Sequence, residues 1–200
     1  MKREKIQETN KFPHFIGCWH IEPLSLCEEV ISFFENNYSK HKTGRSGEGP
    51  KSSENKKSTD ITVNPIDLRL SSHYSIKKYM DALHSCYKDY LSLWPFLKGI
   101  MPQADIGSFN IQRYLSGGHF KGIHTERTSI HTLHRVLVWM TYLNTVDEGG
   151  ETFFPHYQLR IKPEKGKTLI WPADWTHAHS GEVVRAGSKY IITGWMHYPV

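Results

Sequence analysis

The chain is poor in cysteine. Cys18, Cys27 and Cys86 are its only three, an odd number with no CxxC spacing. That argues against a disulfide framework or a zinc knuckle and for a reducing, cytoplasmic setting. No apolar run approaches the length that spans a bilayer, so no membrane partner is expected. Met1-Lys2-Arg3-Glu4-Lys5 leads into polar sequence with no apolar leader core. Internal repeats are lacking too. The charge imbalance is mild, a formal +5, and part of it comes from Lys40, Lys42, Arg45, Lys51, Lys56 and Lys57. Such a stretch could contact nucleic acid, but a solvated lysine-rich loop is the favoured reading.

What is present suffices for one domain: 200 residues, of which 38 % are hydrophobic, can bury a sizeable core. Phe15–Ile21 reads as a short strand ending at Pro23. Ser25 is placed to cap a helix through Leu26, Val30, Ile31, Phe33 and Phe34, with Glu28 completing a capping box. Residues 39–57 are nearly devoid of apolar side chains and read as a flexible loop. Ile61–Val63 is a brief strand, and Tyr74–Trp94 carries apolar residues at helical spacing up to Pro95. Beyond Pro102 the pattern changes to short strands: 109–114, 135–144, 151–155, 158–161, 168–171 and 189–195, separated by Gly and Pro turns. The 135–144 run (RVLVWMTYLN) is dense enough in branched and aromatic residues to be buried on both faces. The fold class expected is therefore mainly β with N-terminal helices (α+β), the strands forming a barrel or jelly roll. The expected organisation is one domain over 1–200, with helical support over 1–104 and a catalytic core over 105–200.

The chemistry concentrates in the last third. His124-Thr125-Glu126 sets an imidazole and a carboxylate two apart, on one side of an extended strand. Thr176-His177-Ala178-His179-Ser180-Gly181 supplies further imidazoles, and Lys189 follows. Two histidines and one carboxylate can hold one face of Fe(II), leaving positions for an organic acid and O2. A buried lysine nearby would hold the far carboxylate of a dicarboxylic acid. Period two places His177 and His179 on the same strand face, so geometry alone does not choose between them. The spacing to Gly181 and Lys189 favours His179. His131 and His134 are expected to make ordinary polar contacts. A cupin-like cluster of His177, His179 and Glu182 is the rival metal site, but it leaves His124, Glu126 and Lys189 without a role.

Three blocks resemble the prolyl 4-hydroxylase-like branch of the Fe(II)/2-oxoglutarate dioxygenases. They are Tyr114-Leu115-Ser116-Gly117-Gly118 before His124; Tyr142-Leu143-Asn144 with Glu148-Gly149-Gly150-Glu151-Thr152-Phe153-Phe154-Pro155; and His179-Ser180-Gly181 with Gly187-Ser188-Lys189. The resemblance covers about residues 109–197. It implies a double-stranded β-helix, with His124, Glu126 and His179 as iron ligands and Lys189 on the distal carboxylate of 2-oxoglutarate. Tyr114, Tyr142 and Thr152 would contact or orient that co-substrate, with Trp195 packed beside it. The implied cofactors are Fe(II), 2-oxoglutarate and O2, with ascorbate as an addition. The implied activity is hydroxylation of a prolyl residue in a peptide or protein. The alternatives are the same chemistry on a free amino acid, small metabolite or nucleobase, or a non-catalytic cupin-like metal-binding module. The chain departs from the family by carrying Glu126 where aspartate is usual, and by a longer interval from Tyr114 to His124. An added methylene needs a shifted metal or a local bulge.

Overall fold

A computed structural model of the chain describes residues 1–4, 13–46 and 52–198. The N-terminal part contains β1 (Lys2–Arg3), β2 (Gly17–His20), α1 (Ser25–Asn36), β3 (Lys42–Thr43), α2 (Ser52–Asn55), β4 (Lys56–Lys57), β5 (Thr59–Val63), α3 (Tyr74–Leu93) and α4 (Pro95–Ile100). Then come β6 (Asp105–Ile106), β7 (Phe109–Leu115), β8 (His119–His124) and β9 (Arg135–Tyr142). The chain ends with β10 (Thr152–Phe154), β11 (Leu159–Ile161), β12 (Lys167–Pro172), β13 (His179–Gly181) and β14 (Ser188–His197). A major sheet runs β1-β2-β12-β9-β14-β7-β5-β3, with β6 also on β14, and a minor sheet runs β11-β10-β13-β8-β4. The two antiparallel sheets face each other as a double-stranded β-helix.

Period two explains how the major sheet serves two cores. On β9, Leu137 and Trp139 point to the helices, while Val138, Met140 and Tyr142 point between the sheets. The helix-side core takes Val30, Phe34, Ile76, Tyr79, Leu83 and Tyr90 from α1 and α3, residues recurring at three- and four-residue intervals. The Tyr79 hydroxyl lies 2.7 Å from Thr141, which lies 2.7 Å from Thr168, so a buried hydroxyl chain ties α3 to the sheet. The inter-sheet core takes Phe154, Leu159, Ile161 and Trp171. The first 104 residues thus supply strands to the major sheet as well as helices.

All three cysteines are buried and free, Cys27 and Cys86 in the helix-side core and Cys18 between the sheets. Burial pushes the Cys27 thiol up to about 11 and Cys86 up to about 12, and raises Cys18 as well. Among the described residues, no helix is long and apolar enough to cross a membrane.

Two local expectations are corrected. Ser25 is the first helical residue and not the cap. Leu24 holds the N-cap position, and the first amides donate to the carbonyls of Pro23 and Leu24. Glu28 instead pairs with Lys165. Residues 39–57 are not a loop throughout. Residues 47–51 lie outside the described residues, but β3, α2 and β4 are ordered pieces on either side of them. Lys56 is buried because Asp60, four residues on, accepts from its ammonium at 2.7 Å. A carboxylate partner offsets the cost of burying this lysine, and composition does not reveal it.

Candidate metal and co-substrate site

β8 and β13 are antiparallel neighbours, with His124 opposite His179, and this brings the two imidazole centres to 4.4 Å with their planes tilted by 55°. The pairing is irregular: Gly181 lies opposite Phe120, so two steps on β13 face four on β8. This irregularity lies beside the two histidines. Just after β8, Glu126 turns its carboxylate back, with Oε1 3.6 Å from each Nε2. Among the described residues, His124, Glu126 and His179 are the only group whose ligand atoms converge for a metal, all lying within 4.8 Å.

The tautomers suit a metal. Nδ1 of His124 lies 2.8 Å from the Gly122 carbonyl, and Nδ1 of His179 lies 3.0 Å from that of His177. A carbonyl can only accept, so each Nδ1 carries the hydrogen and each Nε2 offers its lone pair inward. Burial, helped by His124, holds His179 well below its ordinary pKa and so neutral, the form a metal binds. Glu126 is aimed by two neighbours. The Trp195 indole N–H donates to Oε2 at 2.7 Å, and an Arg135 nitrogen lies 3.6 Å from the same oxygen. Arg135 also stacks 3.7 Å from the Trp195 ring centre and donates to the Glu126 carbonyl. Oε2 is therefore engaged and Oε1 is left for a metal. Arg135 was not legible in the sequence, because its role depends on β9 starting beside the Glu126 turn. Trp195→Phe keeps the ring under Arg135 and removes the N–H. Metal affinity is expected to fall by about 10- to 100-fold, read by Co(II) titration of the metal-free protein.

His177 sits elsewhere. It ends a short 3-10 turn (Trp175–His177), so strand periodicity does not carry it to the face of His179. Its Nε2 donates to the His14 carbonyl at 2.8 Å, with the Tyr157 hydroxyl at 3.3 Å. Glu182 pairs with Arg160. The cupin-like cluster is not assembled. His134 packs against His197, and His131 lies in the Ile130–Thr132 turn, outside the metal group.

Lys189, on β14 opposite Tyr114 on β7, is 3 % exposed and has no ion-pair partner among the described residues. Its ammonium donates to the Gly150 carbonyl at 2.9 Å and lies 4.7 Å from the Tyr114 ring centre. Gly149 and Gly150 both have positive φ, and a Cβ on Gly149 would meet the Val183 oxygen at 2.1 Å. Glycine there lets the turn aim its carbonyl at the lysine. Burial lowers the Lys189 pKa to about 8. A buried cation without a carboxylate fits a dianionic ligand. Thr152 lines the same cavity, of about 580 Å³, together with Tyr114, Trp195 and the three metal-binding candidates. Tyr142 does not line it. Its hydroxyl stands 2.5 Å behind Thr152 and donates to the Ile161 carbonyl, so it orients Thr152.

One further consequence follows from the lysine. A dianion binds the ammonium form, so above pH 8 binding requires proton uptake by Lys189. The 2-oxoglutarate Kd is expected to rise as pH passes through about 8, approaching tenfold per pH unit. Calorimetry on metal-loaded protein from pH 7 to 9.5 checks it, and Lys189→Met should flatten the profile.

A double-stranded β-helix thus holds two histidines, a carboxylate and a buried lysine around one cavity, a donor set that could bind a metal beside an anion anchor. Comparison with known proteins agrees. Residues 109–197 match the model of the 2OG-Fe(II) oxygenase superfamily. Prolyl 4-hydroxylase 2 of Arabidopsis thaliana is 29 % identical over 66 % of this chain and 53 % of its own length. The chain spans about half the length of the curated relatives it matches. A viral collagen prolyl hydroxylase from Paramecium bursaria Chlorella virus-1, solved with 2-oxoglutarate, shares the fold at TM-score 0.66, with 18 % identity and 92 % of this chain and 97 % of that chain covered. A Trichoplax adhaerens prolyl hydroxylase, solved with a peptide of hypoxia inducible factor, aligns at TM-score 0.70 with 17 % identity, over 92 % of this chain and 84 % of that one. Residues 109–197 thus resemble the 2OG-Fe(II) oxygenase superfamily, and the curated relatives similar to the chain are prolyl 4-hydroxylases.

Proposed function

We propose that this protein hydroxylates a prolyl residue of a peptide or protein, using Fe(II), 2-oxoglutarate and O2. The observation that carries the reading is one cavity holding both the His124/Glu126/His179 convergence and the unpaired Lys189 ammonium. Bound there, iron and co-substrate supply the chemistry: O2 is consumed, 2-oxoglutarate becomes succinate and CO2, and one oxygen atom enters a substrate C–H bond as hydroxyl. The chain's own part is placement. His124 and His179 present Nε2 lone pairs fixed by their Nδ1–H bonds, and Glu126 presents Oε1 while Trp195 and Arg135 hold Oε2. Lys189 anchors the distal carboxylate, with Tyr114 and Thr152 alongside, and the apolar walls of Val138, Met140 and Ile191 exclude water. The helices and both sheets act as one domain, because α1, α3 and the major sheet share one core. The prolyl substrate rests on the named relatives, which are prolyl 4-hydroxylases.

The test is anaerobic titration of metal-free protein with Fe(II) and then 2-oxoglutarate, followed by the weak visible charge-transfer band. The band should form in the native chain, and proline-containing peptides should then drive 2-oxoglutarate consumption. A folded protein that forms no band would remove the foundation of the reading.

A further inference from the structure

The co-substrate and metal groups account for one end of the cavity and leave the other wall unexplained. On that wall, Asn110 and Gln112 project from β7 into the cavity, opposite Thr193 and Ile191 of β14. Both carboxamide oxygens are in use: Asn110 Oδ1 accepts from the Thr62 hydroxyl at 2.8 Å, and Gln112 Oε1 from the Tyr114 hydroxyl at 2.6 Å. These bonds fix which way each amide faces. No acceptor among the described residues is seen for either NH2, and both residues line the cavity. Gln112 is buried as a residue, and its NH2 is not among the sealed unpartnered groups, so the donor stays reachable by a ligand through the cavity.

The charges and rings of the cavity narrow the ligand. Among the described residues, Glu126 is its only acidic lining residue. Asp60, just behind, is taken by Lys56 and Ser58. The α-ammonium of a free amino acid would find no further carboxylate among the described lining residues. A nucleobase would need an open aromatic face, yet Phe120 is stacked on His124 at 3.8 Å and Trp195 is covered by Arg135. What the wall does offer is two hydrogen-bond donors at strand positions i and i+2, about 6.8 Å apart along the chain. Alternate carbonyls of an extended peptide repeat at the same interval and point the same way, whereas a polyproline helix repeats at about 9.3 Å.

We propose that Asn110 and Gln112 determine substrate specificity by donating their free NH2 groups to two main-chain carbonyls, two residues apart, of an extended peptide segment. This rests on the dioxygenase reading above and adds that the substrate is an internal peptide segment, held extended beside the reacting residue, and not free proline.

The experiment is anaerobic calorimetric titration of protein loaded with Fe(II) and 2-oxoglutarate, using N-acetylated, C-amidated proline pentapeptides and, separately, free proline. Blocked peptides should bind and free proline should not. Asn110→Asp keeps the oxygen that Thr62 bonds but removes the donors, and should weaken peptide binding about tenfold. Asn110→Leu should do the same without adding charge. Both should leave 2-oxoglutarate affinity unchanged. Replacing a single peptide carbonyl by thiocarbonyl, position by position, should weaken binding to the native chain at two alternate positions. Asn110→Asp should lose sensitivity at one of them. Free proline binding as well as the peptides would overturn the inference. So would Asn110 variants that shift 2-oxoglutarate affinity while sparing the peptide. A charge-transfer band without any peptide binding would sink the subsite alone, and no band at all would sink the dioxygenase reading with it.

Discussion

Lys189→Met is expected to weaken 2-oxoglutarate binding at least ~100-fold at pH 7 while leaving the ligand-free protein at least as stable as the native chain. The two halves have one cause. Lys189 is buried with only the Gly150 carbonyl and the Tyr114 ring against its ammonium. Removing one partner of a desolvated charge pair costs roughly 2–5 kcal/mol, which sets the affinity loss. In the ligand-free fold Glu151 and Glu182 offset the burial only in part. The folded pKa, about 8, lies below the ordinary lysine value of 10.5. At pH 7 the lysine is charged in both states, so the fold carries the whole desolvation penalty. That penalty fades only as pH rises above about 8. Methionine fills similar space without the charge. Calorimetric affinity and thermal unfolding of the same samples test both halves. A stability loss with unchanged affinity would make Lys189 a structural residue.

His179→Ala is expected to abolish the Fe(II)/2-oxoglutarate charge-transfer band and all coupled turnover. The side chain supplies one of three converging ligand atoms, and none of the residues around it can replace it. His177, two residues earlier, has its Nε2 committed to the His14 carbonyl, and Ser180 offers only a neutral hydroxyl. The ring also packs against Phe154 and Trp171, so alanine leaves a space in the inter-sheet core. Circular dichroism of the variant separates loss of metal from loss of fold, and His179→Gln supplies a version closer in volume. A full-strength band in either folded variant would refute the assignment of His179 as a metal ligand.

The site was legible where chemistry is local in sequence. His124 and Glu126 are two apart, Gly149-Gly150 announces a turn, and the run 135–144 can only be a strand buried on both faces. β7, β9, β12 and β14 fall where alternation and turn residues place them, since each must bury one or two faces and ends at Gly or Pro. What was hidden is set by tertiary pairing. Lys56 looks like a solvated lysine until Asp60 is seen beside it. Arg135 looks like a strand-end charge until Trp195 and Glu126 flank it. His177 looked equivalent to His179 because period two was extended into a segment that is a 3-10 turn after Asp174. Asn110 and Gln112 did leave a trace: they are polar residues alternating with Phe109 and Ile111 on a strand whose inward face lines the cavity. The alternation identified the strand but not which face met a ligand.

The three thiols divide between two cores, Cys18 between the sheets and Cys27 with Cys86 beneath the helices. Each is sealed from solvent and held in the protonated form that alkylating reagents ignore. The chain therefore carries two built-in clocks. Modification of Cys18 times the parting of the β-layers around His124, Glu126 and His179, and modification of Cys27 or Cys86 times the lifting of the helical layer. The two events can be told apart by mass in one quenched time course, with no label added to the native sequence.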